Sequence, residues 1–276
     1  MRRGNLRQRE FRLWLLACVA VGLSFGLWPA LDLLLAGLFF DPAAGPGPAG
    51  FATANQTLVL GVYKAVPWLG RIGLLLGLLA WAWPALMRRR SVAHHAAAAA
   101  AGADTTLATR SHKLPGAAAL SPGVTRWRRR LLLLLMVLVF GLWITVNVVL
   151  KEGWGRPRPE QVGDFGGAKV FQPWWQPSRQ CPTNCSFVTG HGATGAVLLA
   201  VGLLSPAVRR RRWLMAGWAA GLTIGLGRMI QGGHFASDVL FACLVIWGVG
   251  ITVRRVALTR RRRRWRRPPA ISRTQP

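Results

Sequence analysis

Six apolar runs, set apart by polar or strongly basic stretches, divide this chain. They are Trp14 to Leu31, Pro67 to Met87, Leu131 to Leu150, Phe187 to Pro206, Trp213 to about Ile230, and about Asp238 to Val253. Each approaches the ~20 residues an α-helix needs to cross a ~30 Å hydrocarbon layer, with few charges inside it. The pattern therefore predicts an all-α integral membrane protein with six transmembrane helices. The first run is too long, and too poorly followed by a small-residue cleavage site, to read as a signal peptide.

The segments between runs differ in kind. Residues 32–55 contain Gly, Pro, Asp32 and Asp41 but no Lys or Arg, which places them outside. Residues 91–125 form an alanine-rich insert around Ala96 to Ala101 that carries His94, His95 and His112. Without an amphipathic period it reads as a partly helical or disordered cytoplasmic loop with solvated histidines. The chain then divides into a cytoplasmic N-terminus (1–13), a six-helix domain (14–253) holding this insert, and a basic cytoplasmic tail (254–276).

Charge fixes the expected orientation. The chain has 36 Lys and Arg against 8 Asp and Glu, a formal net charge of +28. Arg clusters at positions 2–12, 88–90, 126–130, 209–212 and 260–267 all fall on the same side of the runs, as basic residues do in cytoplasmic loops. Both termini are thus expected inside. This distribution points to membrane lipid, with no nucleic acid as partner, and the tail is placed to touch anionic lipid. Lys64 and Arg71, near an outer helix end, can snorkel to the headgroups.

Two of the four cysteines, Cys18 and Cys243, lie in apolar runs and read as packing residues. Cys181 and Cys185 share a polar loop with too few further ligands for a metal site. A small disulfide is the expected alternative if that loop faces an oxidising compartment.

Six spans bring Lys151, Arg158, His191, Arg228, His234 and Asp238 to the outer ends of helices. Three cations beside two histidines describe an anion site, with phosphate the natural occupant. Guanidinium forks grip two phosphate oxygens at once, and phosphoryl transfer depends largely on positioning and charge stabilisation. Thr189, Gly190 and His191 open the fourth helix, where free N–H groups attract anions. His191 is placed there as a general acid for the leaving group. His234 and Asp238, four apart, share a helix face. The carboxylate can accept the proton of one ring nitrogen and leave the other free to attack phosphorus.

These motifs resemble the type 2 phosphatidic acid phosphatase (PAP2) superfamily. Lys151 with Arg158 and Pro159 is similar to its Lys-x6-Arg-Pro motif, Gly190 and His191 to the end of Pro-Ser-Gly-His, and Arg228, His234 and Asp238 to Ser-Arg-x5-His-x3-Asp. Val188 and Thr189 stand in place of Pro-Ser, and Gly227 in place of Ser. Thr189 keeps a hydroxyl able to bond phosphate, whereas Gly227 loses a donor. The resemblance implies a helical core like that of the haloperoxidase relatives. It also implies a phosphohydrolase needing no metal or other cofactor, with a phosphohistidine formed at His234 and His191 assisting the leaving group and then activating water. Lys151, Arg158, Thr189, Gly190 and Arg228 would hold the phosphate.

The wording around Asp32, Phe40-Asp41-Pro42, Lys151 to Pro159 and Cys181 to His191 resembles bacterial lipid A phosphatases of this superfamily. That implies an inner-membrane enzyme whose site faces the periplasm and whose substrate is a phosphorylated lipid. Undecaprenyl diphosphate, phosphatidate and phosphatidylglycerophosphate are alternative substrates. A membrane anchor with a retired site is the non-enzymatic alternative.

Overall fold

The computed structural model describes residues 2–51, 56–101 and 121–265, and these are helical with no strands among them. Helix α1 (Arg2–Leu27) is followed by α2 (Ala30–Gly37), and α3 spans Thr57–Ala101. Helix α4 (Pro122–Val137) runs on as a π-helical stretch, Leu138–Leu150, into a final turn, α5 (Lys151–Gly153). The chain closes with α6 (Gly190–Leu204), α7 (Ala207–Ile230) and α8 (Ala236–Trp265).

Four described helical segments are long and apolar enough to cross a membrane: Gln8–Leu27, Val59–Arg90, Pro122–Gly153 and Ala236–Thr259. Their outer surfaces carry large apolar side chains such as Leu16, Leu23, Trp68, Leu69 and Trp143. Water would penalise such a surface, and hydrocarbon would not.

The first expected run, drawn to Leu31, stops earlier. Pro29 has no N–H to continue the helix and disfavours helical geometry at the residue before it. The chain therefore breaks at Trp28 and restarts as α2. Helix α2 buries Asp32 and Ala36 completely. Ala36 packs with Phe51, Val162, Phe165 and Phe235, so the 32–51 segment forms a cap over the start of α8.

Helices α6, α7 and α8 form the core. Gly217, Gly221 and Gly225 make a stripe on α7 at four-residue spacing. A Cβ at Gly217 would lie 2.5 Å from the Leu199 nitrogen of α6, and one at Gly225 would lie 2.1 Å from Val239 of α8. Small residues let the helix backbones approach in this way. Helix α6 has only 15 residues, short of the ~20 a lone span needs, but it is largely enclosed by its neighbours. In the π-helical stretch, Thr145 and Asn147 donate side-chain hydrogen bonds to carbonyls five residues back, Phe140 and Leu142, both at 2.6 Å. The side chains thereby reinforce the wider turn.

Helix continues beyond several boundaries drawn from sequence. Helix α3 runs into the alanine-rich insert as far as Ala101, and α4 begins at Pro122, capped by the Ser121 hydroxyl. The rest of the insert, with His112, lies outside the described residues. Helix α8 likewise carries the start of the basic tail to Trp265 without a break. The tail beyond it is also outside the described residues.

Candidate active site

The ends of α4/α5, α6, α7 and α8 meet with the 154–189 loop at one end of the bundle. Backbone hydrogen bonds tie the pieces together. The Ser186 N–H donates to the Arg156 carbonyl at 2.9 Å, Glu160 N–H to Gly232 O at 3.0 Å, and Thr189 N–H to Asp238 O at 3.4 Å. The turn between α7 and α8 needs two glycines. Gly232 sits at φ +62°, and a Cβ at Gly233 would strike the Arg228 guanidinium. Cys181 and Cys185 are joined by a disulfide in the same loop.

His234 is buried in this turn, and its Nδ1 lies 2.6 Å from the carbonyl oxygen of Ser186. A carbonyl can only accept, so Nδ1 carries the proton and Nε2 is the basic nitrogen. The sequence spacing assigns the acceptor role to Asp238, and here the structure differs. The nearest Asp238 oxygen is 3.8 Å from Nδ1, too far for a hydrogen bond. Its oxygens are occupied elsewhere: Oδ2 accepts from the Ser186 hydroxyl at 2.5 Å and from Phe235 N–H at 2.8 Å, and Oδ1 accepts from Arg156 at 2.6 Å. Asp238 therefore holds Ser186, and Ser186 holds His234.

Arg156 is the residue that sequence reasoning missed. It is fully buried, with Nη1 bonded to Asp238 Oδ1 and, at 2.9 Å, to the Ser237 hydroxyl. Its Nη2 reaches Asp32 Oδ2 at 2.8 Å, and its Nε reaches the Gln172 carbonyl at 2.8 Å. The guanidinium also lies 4.4 Å from the centre of the Phe235 ring. Asp32 in turn accepts from the Ser237 N–H and hydroxyl at 2.9 and 2.6 Å. A carboxylate–guanidinium–carboxylate network thus stands behind the imidazole, with each charge paired and hydrogen-bonded as burial demands. The weak sequence signal was the doubled Arg-Pro of residues 156–159, of which only the second matched the family spacing.

On the other side lie the remaining cations. Lys151, Arg158 and Arg228 are within electrostatic reach of one another, and all three act on His191. Arg228 and Lys151 also act on His234. Arg228 is buried, hydrogen-bonds Gln231 through Nη1, lies 4.6 Å over the Tyr63 ring, and keeps a buried Nε–H without a partner. Arg158 donates to Asn184 O at 2.9 Å and lies 3.4 Å from Glu160. His191 stacks on Tyr63 at 5.0 Å with Nε2 3.1 Å from the Tyr63 carbonyl, which leaves Nδ1 for proton exchange. Tyr63 was a second omission, because α3 is remote from the motifs in sequence. The buried Thr189 hydroxyl is the acceptor for Gly192 N–H at 3.4 Å and so caps α6. Gly190 begins that helix, beside Asn147 and Lys151.

Burial, reinforced by the charges of Arg228 and Lys151 and opposed by Asp238, lowers the His234 pKa to about 3. The imidazole is therefore neutral at physiological pH, in the form able to act as a nucleophile. Among the described residues, no cluster of three His, Cys, Asp or Glu side chains is arranged to hold a metal ion. Between α3, the π-helical stretch and α6, a cleft of about 630 Å³ walled by Val66, Leu74, Leu142 and Trp143 opens at Lys151 and His191.

Residues 130–262, which contain α6, α7 and all but the last three residues of α8, match the PAP2 superfamily. The chain is also 41% identical over 123 residues to a protein named Lipid A 4'-phosphatase from Francisella tularensis subsp. novicida (strain U112), covering 44% of this chain and 55% of that one. A second protein of that name, from Rhizobium leguminosarum, is 38% identical over 118 residues, covering 42% and 50%. A third, from Rhizobium etli, is 37% identical over 116 residues, covering 42% and 45%. The chain spans about half the length of the curated relatives it matches. No solved structure matches it. The superfamily match and the apolar helices together indicate a membrane protein.

Proposed function

We propose that the chain is a membrane phosphatase that hydrolyses the phosphate ester of a lipid, with lipid A as substrate, through a phosphohistidine at His234. The observation that carries this reading is the Nδ1 hydrogen bond from His234 to Ser186, which commits one ring nitrogen and leaves the Nε2 lone pair free beside the charges of Arg228 and Lys151. In the first step Nε2 attacks phosphorus as the bond to the leaving oxygen breaks, and His191, protonated at Nδ1, gives that oxygen its proton. In the second, His191 takes a proton from water as the water oxygen attacks phosphorus and the P–N bond breaks. Lys151, Arg158 and Arg228 stabilise the charge on the transferred group, so the reaction is expected to need no metal.

Lipid A is favoured because three matching relatives bear that substrate in their names. The apolar cleft beside Lys151 and His191 suits acyl chains. We further propose that α6 and α7 cross the bilayer together with the four longer spans, giving six spans and cytoplasmic termini in a bacterial inner membrane. The site then faces the periplasm. The arginines at the opposite helix ends support this orientation, and so does a disulfide in the loop around the site. Phosphate release from lipid A by the detergent-solubilised chain tests the reading. It is expected in the wild type and absent in His234→Ala, and a wild type inert on lipid A and on simpler lipid phosphates would defeat it.

A further inference from the structure

A second cationic cavity, at the other end of the same helices, belongs to no part of the site above. It measures about 480 Å³ and lies between the start of α4, the end of α6, the start of α7 and the later turns of α8. Arg126, Arg129, Arg130, Arg210 and Arg254 line it. Helix α6 alone separates the two sites by about 22 Å, at 1.5 Å per residue.

Five guanidinium groups share few counter-charges here. Glu10 of α1 is held at 2.9 Å by Arg210 and at 2.8 Å by Arg254. Arg129 is anchored to the Ala257 carbonyl at 2.8 Å. Arg126 and Arg130 are exposed and make no hydrogen bond or ion pair among the described residues. Arg210 keeps a buried Nε–H without a partner. The first turn of α7, at Pro206 and Ala207, also opens into the cavity and brings the positive end of a 24-residue helix. A buried donor left unmade and a surplus of positive charge in one concavity are both relieved by a single bound anion.

The position of the cavity identifies the anion. Its walls combine arginines with Leu133, Leu203 and Leu258, so the cavity sits where apolar helix surface gives way to basic helix ends, at headgroup level. We infer that this cavity binds the phosphate group of an anionic phospholipid, a diester such as that of phosphatidylglycerol, and clamps α4, α6, α7 and α8 together at the end remote from the candidate active site. This inference does not depend on the phosphatase reading.

The test is binding of phosphatidylglycerol to the purified full chain in neutral detergent, read as a saturable rise in thermal unfolding temperature. Phosphatidylcholine and inorganic phosphate serve as comparison probes. Saturation by phosphatidylglycerol and not by phosphatidylcholine is expected, with an apparent affinity roughly tenfold or more weaker in Arg126→Gln/Arg130→Gln, since each basic residue near a headgroup adds to its attraction. Arg211→Gln/Arg212→Gln removes the same charge from exposed α7 positions outside the cavity. It is expected to bind like the wild type. Equal loss in the two double variants would reduce the effect to diffuse surface charge and overturn the inference. An equal response to phosphatidylcholine, or an inorganic-phosphate response that is lost in Arg126→Gln/Arg130→Gln, would also overturn it.

Discussion

His234 leans on the backbone of Ser186, at 2.6 Å, and not on the carboxylate of Asp238 four residues further along its own chain, at 3.8 Å. A carbonyl oxygen fixes the tautomer as firmly as a carboxylate does, but it places no negative charge against the ring. The imidazole is therefore oriented by a neutral partner, and that partner is held by the charged one behind it.

The burial of Arg156 between Asp32 and Asp238 makes the first prediction one of stability. Arg156→Ala strands two buried carboxylates, and breaking such a network by removing one partner costs about 3–5 kcal/mol. Thermal or denaturant unfolding of the detergent-solubilised variant should show that loss. Arg156→Lys should recover only part of it, because one ammonium cannot satisfy acceptors on Asp32, Asp238, Ser237 and the Gln172 carbonyl in the geometry of a planar fork.

Arg158 tests the phosphate clamp by activity instead. It is partly exposed and among the described residues pairs with Glu160 and a loop carbonyl, so Arg158→Lys should fold normally. Loss of a bidentate charged contact is expected to lower kcat/KM about tenfold to a hundredfold. An unchanged rate would place Arg158 outside the phosphate site.

How far the sequence carried the account differs by level. Hydropathy marked the four described helices that are long and apolar enough to cross a membrane, because lipid-facing helices must be apolar along their length. Motif spacing picked out Lys151, Arg158, His191, Arg228 and His234, residues whose charges the fold brings within reach of one another. The Arg156 network was not legible, since Asp32 lies 124 positions away and nothing local distinguishes a buried Arg from a snorkelling one. The acceptor for His234 was hidden for a different reason. It is a main-chain atom, and any residue at position 186 would supply a carbonyl. The break at Trp28 was more accessible, because Pro29 announces it.

The protonation state of His234 gives a third prediction. The site holds its pKa to about 3, against ~6.5 in an unfolded chain. Below ~6.5 the unfolded state takes up a proton that the native state refuses, so this residue's contribution to stability falls with pH from ~6.5 down to about 3. The neutral imidazole persists over the same window. Nitrogen-15 shifts of His234 in labelled protein should report a neutral ring protonated at Nδ1 at pH 5. A titration midpoint in the ordinary histidine range would contradict the buried geometry.

Gly227 offers a fourth test, in the direction of gain. A Cβ there would meet nothing within 4 Å, and the position lines a groove of about 310 Å³ beside Tyr63, His191 and Arg228. Gly227→Ser should therefore be accepted without loss of fold, and it supplies the hydroxyl that the family pattern carries before Arg228. In a helix interior it also replaces the residue with the greatest conformational freedom, a gain of roughly 0.3–0.5 kcal/mol. Phosphatase rate and unfolding temperature should both hold or rise, whereas a drop in unfolding temperature would show that the groove is closed.

The most direct measurement is capture of the covalent intermediate. Lipid A labelled in its phosphate is mixed with the solubilised chain, the reaction is quenched in base, and the labelled peptide is sequenced. The label is expected on His234, stable to base and lost in acid, and absent from His234→Ala. A label on any other residue, or normal turnover by His234→Ala, would contradict the account.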